Sequence, residues 1–170
     1  LSTNETFPNP QPYRKSQSRL ARLQKSASRK VKGSKNRHKA NLKVAKLSCR
    51  TANIRKDTLN KLTTHLAKNH SQIAIEDLNV SGMMANHCLA KSIADLGLYE
   101  FRRQLTYKAD LYGAEVITVS RFFPSSKTCS CCGHIQDMPL KERIFDCQNC
   151  DALIDRDLNA AVNLRSQCGR

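Results

Sequence analysis

CSCCGHIQDMPLKERIFDCQNCDALIDRDLNAAVN, from Cys129 to Asn163, is the stretch on which the fold turns. It holds two Cys-x-x-Cys knuckles, Cys129/Cys132 and Cys147/Cys150, separated by the fourteen residues 133–146. Each knuckle sets two thiols on one side of a tight turn, and two facing knuckles make a tetrahedral cage of four sulfurs. That cage suits Zn²⁺, which takes thiolate ligands and does no redox chemistry. Size gives the reason for a metal, because the 22 residues from Cys129 to Cys150 cannot bury enough apolar area to hold themselves together. Four thiolates close the coordination sphere, so the expected zinc is structural and not catalytic. Two incidental cysteine pairs, or disulfides, are the alternative. Cys131 offers a second register for the first knuckle, but the x-x spacing closes the better chelate and leaves Cys131 a spectator. His134 is a possible ligand that reads better as surface. Cys49, Cys88 and Cys168 stand alone and read as buried or incidental.

Directly after the second knuckle, Asp155-Arg156-Asp157 opens a segment that reads as a helix from about Asp155 to Leu164, with residues 165–170 polar and frayed. Acidic residues at a helix start have two readings. They cap the helix and answer its dipole, or they offer hard oxygen ligands to Mg²⁺. Two-metal nucleases use several carboxylates to hold such ions about 4 Å apart across a phosphodiester. Glu76 is the other candidate. It ends a short apolar run with Ile73 and Ile75 that reads as a buried strand.

Between Glu76 and the knuckles, residues 80–91 read as loop. Ser92-x-x-Asp95 resembles a capping box with Asp in the Glu place. Leu98, Phe101, Leu105, Ala109 and Tyr112 then recur at helical spacing up to Gly113, a C′ stop. Residues 114–119 (AEVITV) form a second β-branched strand. Strand, helix, strand makes a βαβ unit with parallel neighbours, and in such sheets the working groups gather at the carboxyl ends of strands. Glu76 sits at one of those ends. The chain leaves this sheet through Arg121–Ser126, builds the knuckle module, and returns as the final helix.

Upstream of the first strand the composition changes. Formal charge is +15, yet sixteen Lys or Arg and no Asp or Glu lie between Tyr13 and Lys56, leaving 13 basic against 14 acidic residues elsewhere. So dense a one-signed block repels itself unless it lies along a polyanion, and nucleic acid is the favoured partner through phosphate neutralisation. Arg22, Lys25, Arg29, Lys30, Lys32, Lys35, Arg37 and Lys39 are the candidate contacts. An anionic membrane is second, because the arm lacks the aromatic and leucine face of an interfacial helix. A solvated basic coiled segment is the bland rival for residues 13–40. The arm reads as two helices, one from Tyr13 to about Lys32 and one from Ser34, its cap, to about His70. Gly33 punctuates them, and Leu47, Ile54, Leu59, Leu62 and Leu66 line one side of the second. Joined by so short a turn they form an antiparallel pair. Residues 1–12, with three of the five prolines, are an extended lead-in. No run approaches the roughly 18 apolar residues of a membrane span, and no signal-peptide pattern is present. Metal-bound thiolates in a reducing compartment are therefore expected instead of disulfides.

EDLNVSGM, RFFPSSKTCSCCGH, FDCQNC and DRDLNAAVNL, in this order, together with GSKNRHKANLKVAKL in the basic arm, resemble the TnpB/OrfB family of transposon-encoded proteins. The resemblance covers the chain from about residue 8. It implies an α/β fold: a partial RNase H-like (RuvC-like) domain over 71–124 and 152–170, a four-cysteine zinc ribbon inserted at 125–151, and the basic helical pair at 13–70. It implies RNA-guided DNA cleavage by three Mg²⁺-binding carboxylates, the second mapping onto Glu76 and the third onto the DRD motif, at Asp157 in preference to Asp155, with the choice between the two left open. Structural Zn²⁺ maps onto Cys129, Cys132, Cys147 and Cys150. DNA and a guide RNA are the implied partners, and the bacterial or archaeal cytoplasm, near the nucleoid, the implied location.

Departures from the pattern shape the expectation. The family's first aspartate lies in a Gly-Ile-Asp-x-Gly strand with no counterpart here, and Leu1–Thr6 resembles the hairpin that follows that strand. Domains that grip guide RNA and the target-adjacent motif are absent too. The Gly after the second knuckle is Asp151, and Cys131 is an unusual neighbour. The expected protein is an N-terminally truncated, cleavage-inactive member that keeps a nucleic-acid-binding surface. Mg²⁺ enters only if the nuclease site is completed. The alternatives are a non-enzymatic zinc-ribbon nucleic-acid-binding protein and a regulatory product that interferes with a full-length relative.

Overall fold

A computed structural model describes residues 1–139 and 141–168. Gly169 and Arg170, the end of the expected frayed tail, and Leu140 in the ribbon lie outside the described residues. The chain divides into two units. One comprises residues 8–63 and 80–104, the other residues 1–7, 64–79 and 105–170.

The first of these contains the basic arm. Helix α1 spans Pro12–Ser28 and helix α2 spans Lys35–Asn69, with a turn through Gly33 at φ 83°. Ser34 takes the expected N-cap role, its Oγ accepting from the Arg37 N–H at 3.1 Å. Helix α1 ends a turn earlier than its spacing suggested, and Val31 is 77% exposed. Along α2 the buried side chains include Ala40, Thr51, Leu59, Thr63, Leu66 and Ala67, whereas Ile54 is exposed. The buried stripe therefore uses threonine where aliphatic spacing pointed to isoleucine. Each threonine hydroxyl satisfies itself on the carbonyl one turn back, Thr51 on Leu47 at 3.0 Å and Thr63 on Leu59 at 2.7 Å.

Three sequence expectations are corrected between residues 80 and 112. Residues 80–91 are not all loop, since Val80–Ala85 forms a short helix, α3, none of whose side chains is buried. The helix expected from Ser92 to Gly113 is two helices, α4 (Ala90–Leu96) and α5 (Leu98–Tyr112). Gly97 divides them with φ 70°, and a Cβ there would lie 3.1 Å from Leu59 Cδ1 and 3.2 Å from Arg55 Cδ. Both the left-handed backbone and the close approach require glycine. The capping box is also absent, because Ser92 and Asp95 lie inside α4. Asp95 caps a different helix. It is 5% exposed, and its carboxylate accepts from the backbone N–H of Tyr13 at 3.0 Å and of Arg14 at 3.1 Å. Helix α1 has no side-chain cap of its own, its N-cap residue Gln11 standing at φ 44°. Arg55 completes the arrangement at 3.4 Å from Asp95.

In the other unit, β1 (Gln72–Glu76) pairs with β2 (Glu115–Val119) in parallel, in register from Gln72↔Glu115 to Glu76↔Val119. The β-branched runs and the crossover between them yield the expected βαβ sense. Gly113, at φ 76°, ends α5 as expected. Leu105 and Ala109 of α5 and Val119 of β2 are buried. After β2 the chain builds a small module in which β3 (Ile144–Asp146) pairs antiparallel with β4 (Leu153–Asp155), beside an isolated bridge Thr128↔Ile135. Its core is Cys129, Met138, Phe145 and Cys147, with Ala152 packed against it. Strand β4 runs straight into α6 (Arg156–Arg165), which packs on β1, β3 and β4. Among the described residues no helix is long and apolar enough to cross a membrane.

Candidate functional site

The two knuckles fold alike. Gly133 N–H donates to the Cys129 carbonyl and Asp151 N–H to the Cys147 carbonyl, each at 3.0 Å. Cys129 N–H in turn donates to the His134 carbonyl at 2.8 Å, and Cys147 N–H to the Ala152 carbonyl at 3.0 Å. The residue after each second cysteine is left-handed, Gly133 at φ 76° and Asp151 at φ 56°. Cys129, Cys132, Cys147 and Cys150 thereby converge, with all four Sγ atoms within 4.8 Å of one another. The Cys129–Cys150 and Cys132–Cys147 separations are 3.8 and 3.6 Å. A tetrahedral site with Zn–S bonds of about 2.3 Å has edges of about 3.8 Å, so the cage fits zinc. A disulfide would need about 2.05 Å. Cys131 and His134 lie outside this group. Cys49 and Cys88 are exposed, not buried, and Cys168 is half-buried.

The electrostatics of the cage call for a cation. A hydrogen bond from Asn149, then one from the His134 backbone, lowers the Cys132 thiol to about 6. At Cys150 the Ala152 backbone N–H pulls the same way, but the neighbouring Cys132 and Cys147 thiols outweigh it and raise the group to about 12. Once one sulfur is charged, a second resists charging until a cation sits between them.

Below the cage, Asn159 and Asn163 of α6 are buried at 0% and 6% exposure. Asn159 Nδ2 donates to the Thr128 carbonyl at 2.7 Å while its Oδ1 accepts from Ser130 N–H at 2.9 Å. Asn163 Nδ2 donates to the carbonyls of Ser125 and Thr128 at 2.8 and 2.6 Å. These two amides fasten the first knuckle to α6. Sequence reasoning missed them, although two Asn four residues apart on an otherwise apolar helix face are a readable signal of buried polar contact.

The carboxylates separate into occupied and unoccupied ones. Asp155 is the N-cap of α6, and its Oδ1 accepts from Asp157 and Leu158 N–H at 2.9 and 3.0 Å. Asp77 is paired with Arg121. Glu76, half-buried at the end of β1, and Asp157, exposed in the first turn of α6, have no side-chain partner among the described residues. Ala161, Leu164 and Arg165 of α6 line one cavity of about 520 Å³ with Gln72, Ile73 and Ala74 of β1. The last turns of α6 therefore lie beside the start of the strand that ends in Glu76.

In the basic arm, Arg22, Lys25, Arg29, Lys32, Lys35 and Lys39 are exposed. Lys30 and Arg37 are half-buried, with Arg37 Nη1 donating to the Lys30 carbonyl at 3.1 Å, so this pair also braces the turn. None of the eight forms an ion pair among the described residues.

Residues 1–87 match the OrfB_IS605 family model, described as "Probable transposase". The chain belongs to the TnpB/OrfB family. Residues 99–164 of this family member also match the "Cas12f1-like, TNB domain". It is 44% identical over 165 residues to a "Putative RNA-guided DNA endonuclease" of Streptomyces pristinaespiralis, covering 96% of this chain and 41% of that protein. Against the "Putative RNA-guided DNA endonuclease InsQ" of Escherichia coli (strain K12) the identity is 39% over 180 residues, covering 96% of this chain and 44% of InsQ. The chain thus spans about two fifths of the length of these TnpB/OrfB relatives. The fold is similar to a chain in a "Cryo-EM structure of the Cas12f1-sgRNA-target DNA complex", with TM-score 0.62 at 18% identity, covering 95% of this chain and 44% of that one.

Proposed function

We propose that these 170 residues are the part of an RNA-guided DNA endonuclease of TnpB/OrfB type that supplies two metal-binding carboxylates, a structural zinc ribbon and a basic nucleic-acid-binding arm. In this reading β1, β2 and α6 belong to an RNase H-like (RuvC-like) domain into which the ribbon is inserted. Cys129, Cys132, Cys147 and Cys150 hold Zn²⁺, while Glu76 and Asp157 are ligands to Mg²⁺. The observation that carries it is the contrast among the acids: Asp155 and Asp77 are engaged by their neighbours, whereas Glu76 and Asp157 are left free. An unpaired, half-buried carboxylate at a strand's carboxyl end is costly for stability alone and suited to a hard cation. The run of α6 along β1 favours the same pairing, since its far end is already beside the strand's start. Mg²⁺ bound there would polarise phosphodiester oxygens and orient the attacking water. DNA and a guide RNA are the partners proposed because the relatives carry the description of RNA-guided DNA endonucleases.

Two carboxylates hold a metal pair poorly, and the first of the family's three has no counterpart among these residues. The 170-residue chain is therefore expected to bind nucleic acid without cutting it. Purified chain is incubated with DNA in Mg²⁺, and in parallel titrated with Mn²⁺ while NMR line broadening is followed. Broadening centred on Glu76 and Asp157, lost in Glu76→Ala, with no cleavage, supports the reading. Cleavage that Glu76→Ala abolishes would overturn the insufficiency of these residues, and broadening elsewhere would overturn the site.

A further inference from the structure

Phe122 is 87% exposed, more than any other large hydrophobic side chain among the described residues. A single exposed apolar side chain needs no explanation by itself. This one, however, stands in a fixed place. Its own N–H donates to Ser120 Oγ at 3.3 Å, Phe123 N–H donates to the Ser120 carbonyl at 3.0 Å, and Ser125 N–H to the Phe123 carbonyl at 2.8 Å. On one side Arg121 is ion-paired with Asp77, whose N–H bonds the Val119 carbonyl at 2.9 Å and so extends the sheet. On the other, Pro124 and buried Ser125 anchor the segment, with Ser125 accepting from Asn163. The backbone is held tightly, and the ring it carries touches little.

The ring's location gives the hold a purpose. Val119 is the register partner of Glu76, and Phe122 follows it by three residues. Three residues of chain reach at most about 10 Å. The ring therefore stands at the same carboxyl end of the sheet as Glu76, with the Arg121 guanidinium 41% exposed beside it. An apolar plate next to a cation, at the rim of a face that handles phosphodiesters, has the make-up of a stacking platform: the ring takes a base and the charge takes a phosphate.

We infer that Phe122 is a stacking residue for an unpaired nucleobase of single-stranded DNA passing the Glu76 face, and so a positioning residue for that strand. The inference rests on the nucleic-acid reading of the preceding subsection. Double-stranded DNA offers no free base face to such a ring, whereas a single strand does. A competing occupant, an apolar segment of a longer polypeptide, would cover Phe122 without regard to bases.

The test uses the 170-residue chain and two fluorescent 20-mers, dT20 and an abasic strand with the same phosphates, measured by anisotropy. Wild type is expected to bind dT20 more tightly than the abasic strand. Phe122→Ala loses about tenfold on dT20, in the range of one base–aromatic stack, and nothing on the abasic strand, while Phe122→Trp restores the affinity. The melting temperature of Phe122→Ala stays at the wild-type value, since the ring is in solvent. An unchanged dT20 affinity, or an equal loss on both strands, overturns the inference and leaves the nucleic-acid reading standing. Wild-type chain that binds neither strand overturns both.

Discussion

Asp151 occupies a backbone position that its twin in the first knuckle gives to Gly133. A side chain at φ 56° brings Cβ against the following carbonyl, a cost that aspartate tolerates better than most residues and glycine avoids. Because the two knuckles share the same backbone hydrogen bonds, Asp151→Gly changes little else. Part of the gain is offset by the greater freedom of glycine in the unfolded chain. The zinc-loaded variant is expected to be more stable by about 0.5 kcal/mol, seen as a melting temperature roughly 1–2 °C higher. A lower melting temperature would mean that Asp151 makes a contact that outweighs its backbone strain. Asp95 is the opposite case, an acid in a conformation without strain and with three groups leaning on it. Asp95→Ala removes the cap of α1 and leaves the Arg55 guanidinium beside an apolar void. The expected loss is about 2–3 kcal/mol in chemical denaturation. Asp95→Asn, which keeps an acceptor but not the charge, should fall between the two. Equal losses in both variants would show that the charge, and not the cap, matters.

At the scale of elements, helix α6 carries an exposed acid and two buried amides within ten residues. Its first turn displays Asp157, and its buried face presents Asn159 and Asn163 to the first knuckle. The amide of Asn159 donates and accepts at once, which fixes its orientation. Asn159→Asp keeps the shape but turns the donor into a charged acceptor facing the Thr128 carbonyl. It should cost more than Asn159→Ala, which itself loses about 1–3 kcal/mol by leaving buried groups unpaired. Hydrogen exchange at Ser130 and Thr128 is the direct readout, and an Asp variant milder than Ala would show that this amide is not the fastening. The elements themselves were largely legible in the sequence. Alternating Ile73 and Ile75, the β-branched AEVITV run and the stop at Gly113 are local signals, and local physics decides them. The knuckles were legible for the same reason, since cysteine spacing alone closes a chelate. What could not be read depends on contacts distant in sequence. Asp95 read as the acidic partner of Ser92 in a capping box because nothing local says that α1, some 80 residues earlier, arrives there without a cap of its own. The break at Gly97 drew no reading from the sequence, because the residues that fill the space over it, Arg55 and Leu59, lie some forty residues earlier. Which of Asp155 and Asp157 is engaged was likewise undecided until the cap geometry of α6 was known.

Across the whole molecule the charge is divided as sharply as the sequence suggested. The net +15 is carried by the sixteen basic residues between Tyr13 and Lys56, and helix formation does not neutralise them. Within this segment Arg55 is the residue drawn into an ion pair among the described residues, with Asp95. Lys35, Lys39, Lys43, Lys46 and Arg50 fall three or four residues apart on α2 and are all exposed, so they share one side of that helix. Under the proposed nucleic-acid reading, charges arrayed in this way act through counterion release and not through base contacts, and the consequence is quantitative. Each phosphate neutralised on a single strand contributes about 0.7 to the slope of log affinity against log salt. Replacing Lys39, Lys43 and Lys46 together by Gln should make that slope shallower by about 2. The loss should be the same for unrelated DNA sequences, and the melting temperature should barely move because the three side chains are in solvent. Anisotropy titrations from low to moderate NaCl measure this directly. An unchanged slope would remove α2 from the binding surface and leave α1 to account for it, whereas a loss confined to one DNA sequence would mean that these lysines read bases and not backbone.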